Sequence, residues 1–175
     1  MLWCAVAGCA QIGLVAFGQR AAGPGVWLSS TSTFPIDLLA ALGYPFILPA
    51  VALLHARAEP HRRSGAVLAT IAGTAAVLVG IGATPIIDLR PAALVLLGMW
   101  WWTLGKIGLE TGILPRRFGV LTAALGALVI AGAALVSLGD RLVLVLGDLR
   151  LFDAAHLTLG AWLLALAMLL TRERR

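Results

Sequence analysis

The side chains of this chain that are best suited to chemistry are Asp153 and His156, which lie three positions apart. Residues three apart share one face of a helix, so the carboxylate could orient the imidazole and raise its pKa. That arrangement is typical of a general base or a proton relay. The structural alternative is a carboxylate that complements the helix dipole in a first turn. We take both residues as candidate catalytic groups.

A second group of polar or backbone-disrupting residues surrounds the sequence from Tyr44 to Pro49. Each proline removes an amide donor and displaces a carbonyl four residues earlier. Within a membrane, backbone groups that lack a hydrogen-bond partner are tolerated only where they face protein or a water-filled cavity. Tyr44 and Pro45 are therefore candidate ligand-binding residues, although a proline kink without a site is the alternative. Gln11 and Asp37 are further candidates, for which a hydrogen bond to a neighbouring helix and a dipole interaction are the structural interpretations.

Motifs of metal, nucleotide and hydrolase sites are missing from the sequence. There is no H-x-x-x-H or E-x-x-H spacing, and no P-loop, G-x-G-x-x-G or G-x-S-x-G. Cys4 and Cys9 point in different directions on a helix, which argues against a disulfide between them. We therefore expect no metal and no cofactor.

The composition indicates that most of the chain lies in a lipid bilayer and not in water. Hydrophobic residues make up 61% and charged residues 12% of its 175 positions, whereas soluble domains average about 45–50% and about 25%. Six apolar runs approach the ~20 residues needed to cross a bilayer. The sequence predicts an all-α, polytopic membrane bundle with one domain over residues 1–175. The predicted spans are residues 2–18, 35–56, 65–87, 91–109, 118–138 and 151–171.

The cations predict the orientation of these spans. Lys and Arg near span ends favour the cytoplasm. Nine fall on one side of the predicted topology: Arg57, Arg62, Arg63, Lys106, Arg116, Arg117, Arg172, Arg174 and Arg175. Four fall on the other: Arg20, Arg90, Arg141 and Arg150. Both termini are therefore predicted to be cytoplasmic. Because the cations sit in clusters between apolar runs, they indicate contact with the lipid bilayer rather than nucleic acid.

Several residues carry predictions about packing and local pairing. Glycines recur every seven residues from Gly98 to Gly126 and indicate packing between the helices on either side of Pro115. The run Trp100-Trp101-Trp102 is typical of an interfacial aromatic belt, and a stacking platform for a planar ligand is the alternative. Lys106 and Glu110 are spaced to form an ion pair on one helical face. His55 and His61 are predicted to be solvated loop residues.

The sequence Gly112-Ile-Leu-Pro-Arg-Arg-Phe-Gly119 precedes a last apolar run that contains Trp162-Leu163-Leu164. These elements resemble a group of uncharacterised bacterial multi-pass integral membrane proteins with a G-x-L-P-R-x-x-G cytoplasmic turn. The resemblance covers roughly the C-terminal 75 residues. It implies a location in the bacterial inner membrane. It implies no activity and no functional residues, because that group has no established activity.

Abundant small-residue packing surfaces and the missing motifs favour a non-enzymatic protein, either an accessory subunit or a small-molecule binding or transport component. Its partners would be the lipid bilayer and a protein partner or further copies of the chain. The alternative is a small intramembrane enzyme acting on a lipid or isoprenoid from the outer leaflet side. That alternative requires Tyr44 or the Pro45 kink to line one cavity with His156. Proton-coupled transport through His156 is a third possibility. The accessory-subunit hypothesis predicts an uninterrupted apolar face that docks a partner, and no enclosed cavity.

Overall fold

A computed structural model describes residues 2–22, 43–82, 89–137 and 151–172, and every element in these ranges is a helix. The elements are α1 (Leu2–Ala22), a 3-10 turn (Tyr44–Ile47), α2 (Leu48–Ala58), α3 (Arg63–Gly82), α4 (Arg90–Thr111), α5 (Arg116–Ser137) and α6 (Leu151–Arg172). Among the described residues, four stretches are long and apolar enough to cross a membrane: Arg63–Gly82, Pro91–Thr111, Arg116–Leu135 and Ala154–Arg172. A shorter apolar helix covers Leu2–Ala16. The prediction of an all-α chain with membrane-spanning helices is confirmed at this level.

The second predicted span differs from a simple kinked helix in its described part. Residues 44–47 form a 3-10 turn, and α2 follows directly with 11 residues. The backbone N–H of Leu48 donates to the carbonyl oxygen of Pro45. This bond satisfies a carbonyl that Pro49 would otherwise leave without a helical donor. Residues 35–42, which include Asp37, lie outside the described residues.

Helices α4 and α5 form a hairpin around the predicted turn. Gly112 ends α4 with a φ of 73°, and its N–H donates to the carbonyl oxygen of Gly108 over 3.0 Å. Glycine is the residue that adopts this left-handed conformation without strain. The chain then passes Pro115 and re-enters a helix at Arg116, where the N–H of Gly119 donates to Pro115. The predicted helix break near Pro115 is confirmed.

The heptad glycines bring the two arms of this hairpin into backbone contact. A Cβ added at Gly105 would lie 2.4 Å from the backbone nitrogen of Ala123. A Cβ added at Gly126 would lie 2.4 Å from the backbone nitrogen of Trp102 and 2.6 Å from the oxygen of Gly98. The helices therefore approach closer than any side chain at these positions would allow, which is how small residues promote association in lipid. The predicted packing role is confirmed.

An aromatic cluster fills the centre of the bundle between α4, α5 and α6. The ring of Trp162 lies 5.5 Å from Trp100, 5.8 Å from Trp101 and 5.8 Å from Phe118, between centroids. Its indole N–H donates to the hydroxyl of Thr122 over 2.9 Å. Trp100 and Trp101 are 1% and 0% exposed, so the predicted interfacial belt is wrong for both. Gly73 on α3 makes room for Trp100, since a Cβ added there would lie 3.0 Å from the indole ring.

The first and last helices pack against each other through another glycine pair. A Cβ added at Gly8 would lie 2.8 Å from the backbone oxygen of Gly160, and one added at Gly160 would lie 2.9 Å from the oxygen of Gly8. This crossing holds α1 against α6 along the side of the bundle. It also brings Gln11 against α6, because a Cβ added at Gly160 would lie 3.3 Å from the Cβ of Gln11.

Helices α2 and α3 are joined by a short turn and share a polar contact. The Nδ1 atom of His55 lies 2.8 Å from the hydroxyl of Thr70, which donates in turn to the carbonyl oxygen of Ala66. His55 belongs to α2 and is partly buried, so its prediction as a solvated loop residue is wrong. His61 is exposed in the turn, as predicted.

The turns from α2 to α3 and from α4 to α5 lie at the same end of the bundle. Gly65, near the start of α3, contacts Ile107, near the end of α4. The guanidinium of Arg62, in the turn before α3, forms an ion pair with Glu110 near the end of α4. The sequence predicts that Glu110 pairs with Lys106, but in the structure its partner is Arg62. The cations of both turns therefore collect at one end, which we call the cationic end.

Candidate functional site

Tyr44 and His156 meet in the core, at the junction of the 3-10 turn, α3, α4 and α6. Their ring centroids are 5.5 Å apart and the rings are nearly perpendicular, at 85°. Both side chains are buried, with 6% of Tyr44 and 7% of His156 exposed. His156 therefore faces the bundle interior, which the enzyme and transport hypotheses both require.

The position of Tyr44 depends on a glycine of the facing helix. Gly80 lies directly under the phenol ring, and a Cβ added there would come within 2.4 Å of its Cε1 and Cζ atoms. The 3-10 turn starts at Tyr44 because Gly43 keeps helical dihedral angles and Pro45 suits the first helical positions. Together these residues hold the tyrosine ring against α3 and nearly perpendicular to the ring of His156.

The space between these rings is small. Tyr44 and His156 line one cavity of about 10 Å³, which is enough for about one water molecule. Its walls are otherwise apolar and come from the turn and three helices: Ile47, Gly73, Ala76, Val77, Ala93, Leu94, Leu97, Trp100 and Leu159. The arrangement can hold a water beside an imidazole, but a ligand with more than a few atoms would need the walls to move.

Gln11 does not line this cavity but is hydrogen-bonded to Gly43, the residue that precedes Tyr44. Its side chain is fully buried, and its Nε2 atom donates to the carbonyl oxygen of Gly43 over 3.1 Å. A Cβ added at Gly43 would lie 2.5 Å from Leu14 and 3.3 Å from this amide nitrogen, so glycine allows the contact. The Oε1 atom has no hydrogen-bond partner among the described residues. The structural interpretation of Gln11, a bond to a neighbouring segment, is confirmed.

The predicted site residues have different outcomes. Tyr44 and His156 line one cavity, whereas Gln11 does not line it and bonds to Gly43, next to Tyr44. Pro45 is exposed and does not line the cavity. Asp153 belongs to α6, but its side chain lies outside the described residues, as does all of Asp37, so their roles stay predictions. In the described ranges, no three His, Cys, Asp or Glu side chains form a group suited to a metal ion.

Sequence reasoning missed the residues of α3 and α4 that shape the cavity. Gly73 and Gly80 provide flat surfaces for Trp100 and Tyr44, with the indole ring 3.0 Å from a Cβ added at Gly73. Their signal is the spacing of small buried residues along α3, at Ala66, Ala69, Ala72, Gly73, Ala76 and Gly80. That spacing follows one helical face. The spacing therefore predicts which face of α3 is packed, but not which aromatic rings pack against it.

Comparison with known proteins does not assign a family to this site. No protein-family model matches the chain, and no curated protein or solved structure is significantly similar to it.

Removal of the Gln11 amide should have a modest effect on stability. In Gln11→Leu the bond to Gly43 is lost, and we expect the free energy of unfolding to fall by about 0.6 kcal/mol and by no more than about 1.7 kcal/mol, the range for hydrogen bonds between membrane helices. Unfolding by a denaturing detergent, followed by circular dichroism, measures the change. A loss several times larger would mean that Gln11 also organises the cavity.

Proposed function

We propose that this chain is a non-enzymatic component of the bacterial cell membrane, an accessory subunit or a small-molecule binding or transport component. The observation that carries the proposal is an uninterrupted apolar face on α5. Its exposed residues are Leu121, Ala124, Leu128, Ala131 and Leu135. Leucines alternate with alanines at spacings of three and four, so the small residues let another membrane helix approach closely.

The small size of the cavity near Tyr44 and His156 argues against an enzyme site and a small-molecule binding site there, and so favours the accessory-subunit role. Pockets for small molecules usually measure about 300–1,000 Å³, whereas this cavity measures about 10 Å³. A lipid or isoprenoid substrate would have to displace close-packed side chains before it reached His156.

Six spans with both termini in the cytoplasm form part of the proposal. The clustering of Arg62, Lys106, Arg116 and Arg117 at the cationic end supports it, because cations flanking membrane helices are retained in the cytoplasm. The resemblance to multi-pass bacterial proteins around Gly112 and Pro115 agrees with the same location.

Native mass spectrometry of the protein, gently extracted in mild detergent, tests the accessory role. We expect a second protein, or further copies of this chain, at a fixed stoichiometry. Ala131→Leu should reduce that association, because the larger side chain blocks close approach at the α5 face. Ala161→Leu, at an exposed position of α6, is the matched control and should leave it unchanged. Monomers alone, or equal losses in both variants, would contradict the accessory role.

The alternative function, an intramembrane enzyme for a lipid or isoprenoid, is supported by one observation. Tyr44 and His156 do line the same cavity, as that hypothesis requires. The same experiment tests it, since a lipid or isoprenoid retained without any partner protein would favour the enzyme. Ala76→Val, which adds two methyl groups at the cavity wall, should then release that molecule.

A further inference from the structure

An open recess of about 320 Å³ lies at the cationic end, between the start of α3 and the end of α4. Its polar wall contains Arg62, Ser64, Thr103 and Lys106. Two cations and two hydroxyl groups around one recess make an environment suited to a phosphate group, which accepts hydrogen bonds and carries negative charge. The recess belongs neither to the Tyr44 cavity nor to the α5 face.

The positive charge in this recess is not fully compensated. Glu110 pairs with Arg62, which neutralises one of the two cations. Lys106 is exposed and forms no ion pair with any residue in the described part of the chain. Because Glu110 is already paired with Arg62 of the α2–α3 turn, the ammonium group of Lys106 remains available to an anion from outside the protein.

The apolar side of the recess continues along the membrane-facing surface. Leu68 and Trp102 line its inner edge and are 50% and 47% exposed. One turn further from the cationic end, Ile71 on α3 and Met99 on α4 are 60% and 40% exposed. A polar recess at the helix ends thus opens onto an exposed apolar strip, which runs along α3 and α4 toward their midpoints. A phospholipid has this same order of chemistry, with a phosphate at the interface and acyl chains below it.

We propose that this recess binds the head group of an anionic glycerophospholipid from the adjacent leaflet. Lys106 and Arg62 contact the phosphate, the hydroxyls of Ser64 and Thr103 donate hydrogen bonds to it, and an acyl chain lies against Leu68 and Ile71. The indole of Trp102 sits at the level of the head group, where tryptophan is enriched in membrane proteins. The proposal does not depend on the accessory role of the α5 face.

Native mass spectrometry with added lipids tests this site. Phosphatidylglycerol and phosphatidylcholine with identical acyl chains are titrated separately into the detergent-solubilised full chain. We expect phosphatidylglycerol to bind more tightly, and Lys106→Met to weaken its binding about fivefold, the factor typical of one cation at an anionic membrane surface. Lys106→Arg should restore it. Arg117→Met removes the same charge from an exposed position of α5 outside the recess, and should leave binding unchanged.

Four outcomes would overturn the proposal. Equal binding of the two lipids would show that the phosphatidylglycerol charge is not recognised. Equal losses in Lys106→Met and Arg117→Met would indicate non-specific attraction to the cationic end. Competition by soluble glycerol phosphate at the concentration of the lipid would show that the recess binds a free anion and that the apolar strip contributes nothing. A lipid released by Ala76→Val but retained by Lys106→Met would belong to the Tyr44 cavity instead of the recess.

Discussion

Replacing Trp162 with alanine should lower the free energy of unfolding by about 3–5 kcal/mol, the usual cost of removing a buried tryptophan. The side chain is 3% exposed and contacts the rings of Trp100, Trp101 and Phe118, which come from two other helices. Its removal would leave a large cavity at the centre of the bundle. It would also remove the indole N–H that donates to the hydroxyl of Thr122. Detergent-induced unfolding, followed by circular dichroism, measures the loss.

The matched control for this substitution is Trp102→Ala. Trp102 has the same side chain on the same helix as Trp100, but it is 47% exposed. The loss of stability should therefore be well below that of Trp162→Ala. Equal losses would mean that the aromatic cluster does not hold the three helices together, and that tryptophan contributes here mainly through the bilayer interface.

Replacing Gly105 with alanine should destabilise the α4–α5 hairpin by about 1–3 kcal/mol, the cost of overpacking a close contact. The added methyl group would lie 2.4 Å from the backbone nitrogen and 2.7 Å from the Cα of Ala123. These are backbone atoms, so the clash cannot be relieved by rotating a side chain. The two helices must separate, which also loosens the neighbouring contact between Gly98 and Gly126. The same unfolding measurement reports the change.

Gly13→Ala separates this steric effect from the helix propensity of alanine. A Cβ added at Gly13 meets no heavy atom within 4 Å. Alanine should therefore leave stability unchanged or raise it by about 0.5–1 kcal/mol. If Gly105→Ala were as well tolerated as Gly13→Ala, the hairpin would have enough freedom to accept side chains at its crossing, and the heptad glycines would not determine its packing.

The candidate site was predictable in part. The rare polar residues within apolar runs, Gln11 and His156, were recognisable because a membrane interior makes such residues costly unless they face protein. The prolines near Tyr44 indicated an irregular backbone, and a 3-10 turn occurs there. The sequence could not predict that Tyr44 meets His156, because more than a hundred residues separate them and no local pattern links the two. The size of the cavity depends on Gly73, Gly80 and Trp100, whose mutual fit has no local signal.

Local chemistry in the sequence determined the membrane class, the helical character and the α4–α5 turn. Hydrophobic run length, proline and glycine act over a few residues, so their effect is readable from spacing alone. The tertiary structure decided which face of each helix is buried. Trp100 and Trp101 are in the core while Trp102 is exposed, and Glu110 pairs with Arg62 of the α2–α3 turn instead of Lys106 on its own helix. Both results depend on the rotation of each helix about its axis. That rotation is set by contacts between distant residues, above all the close approach of glycines to facing backbones.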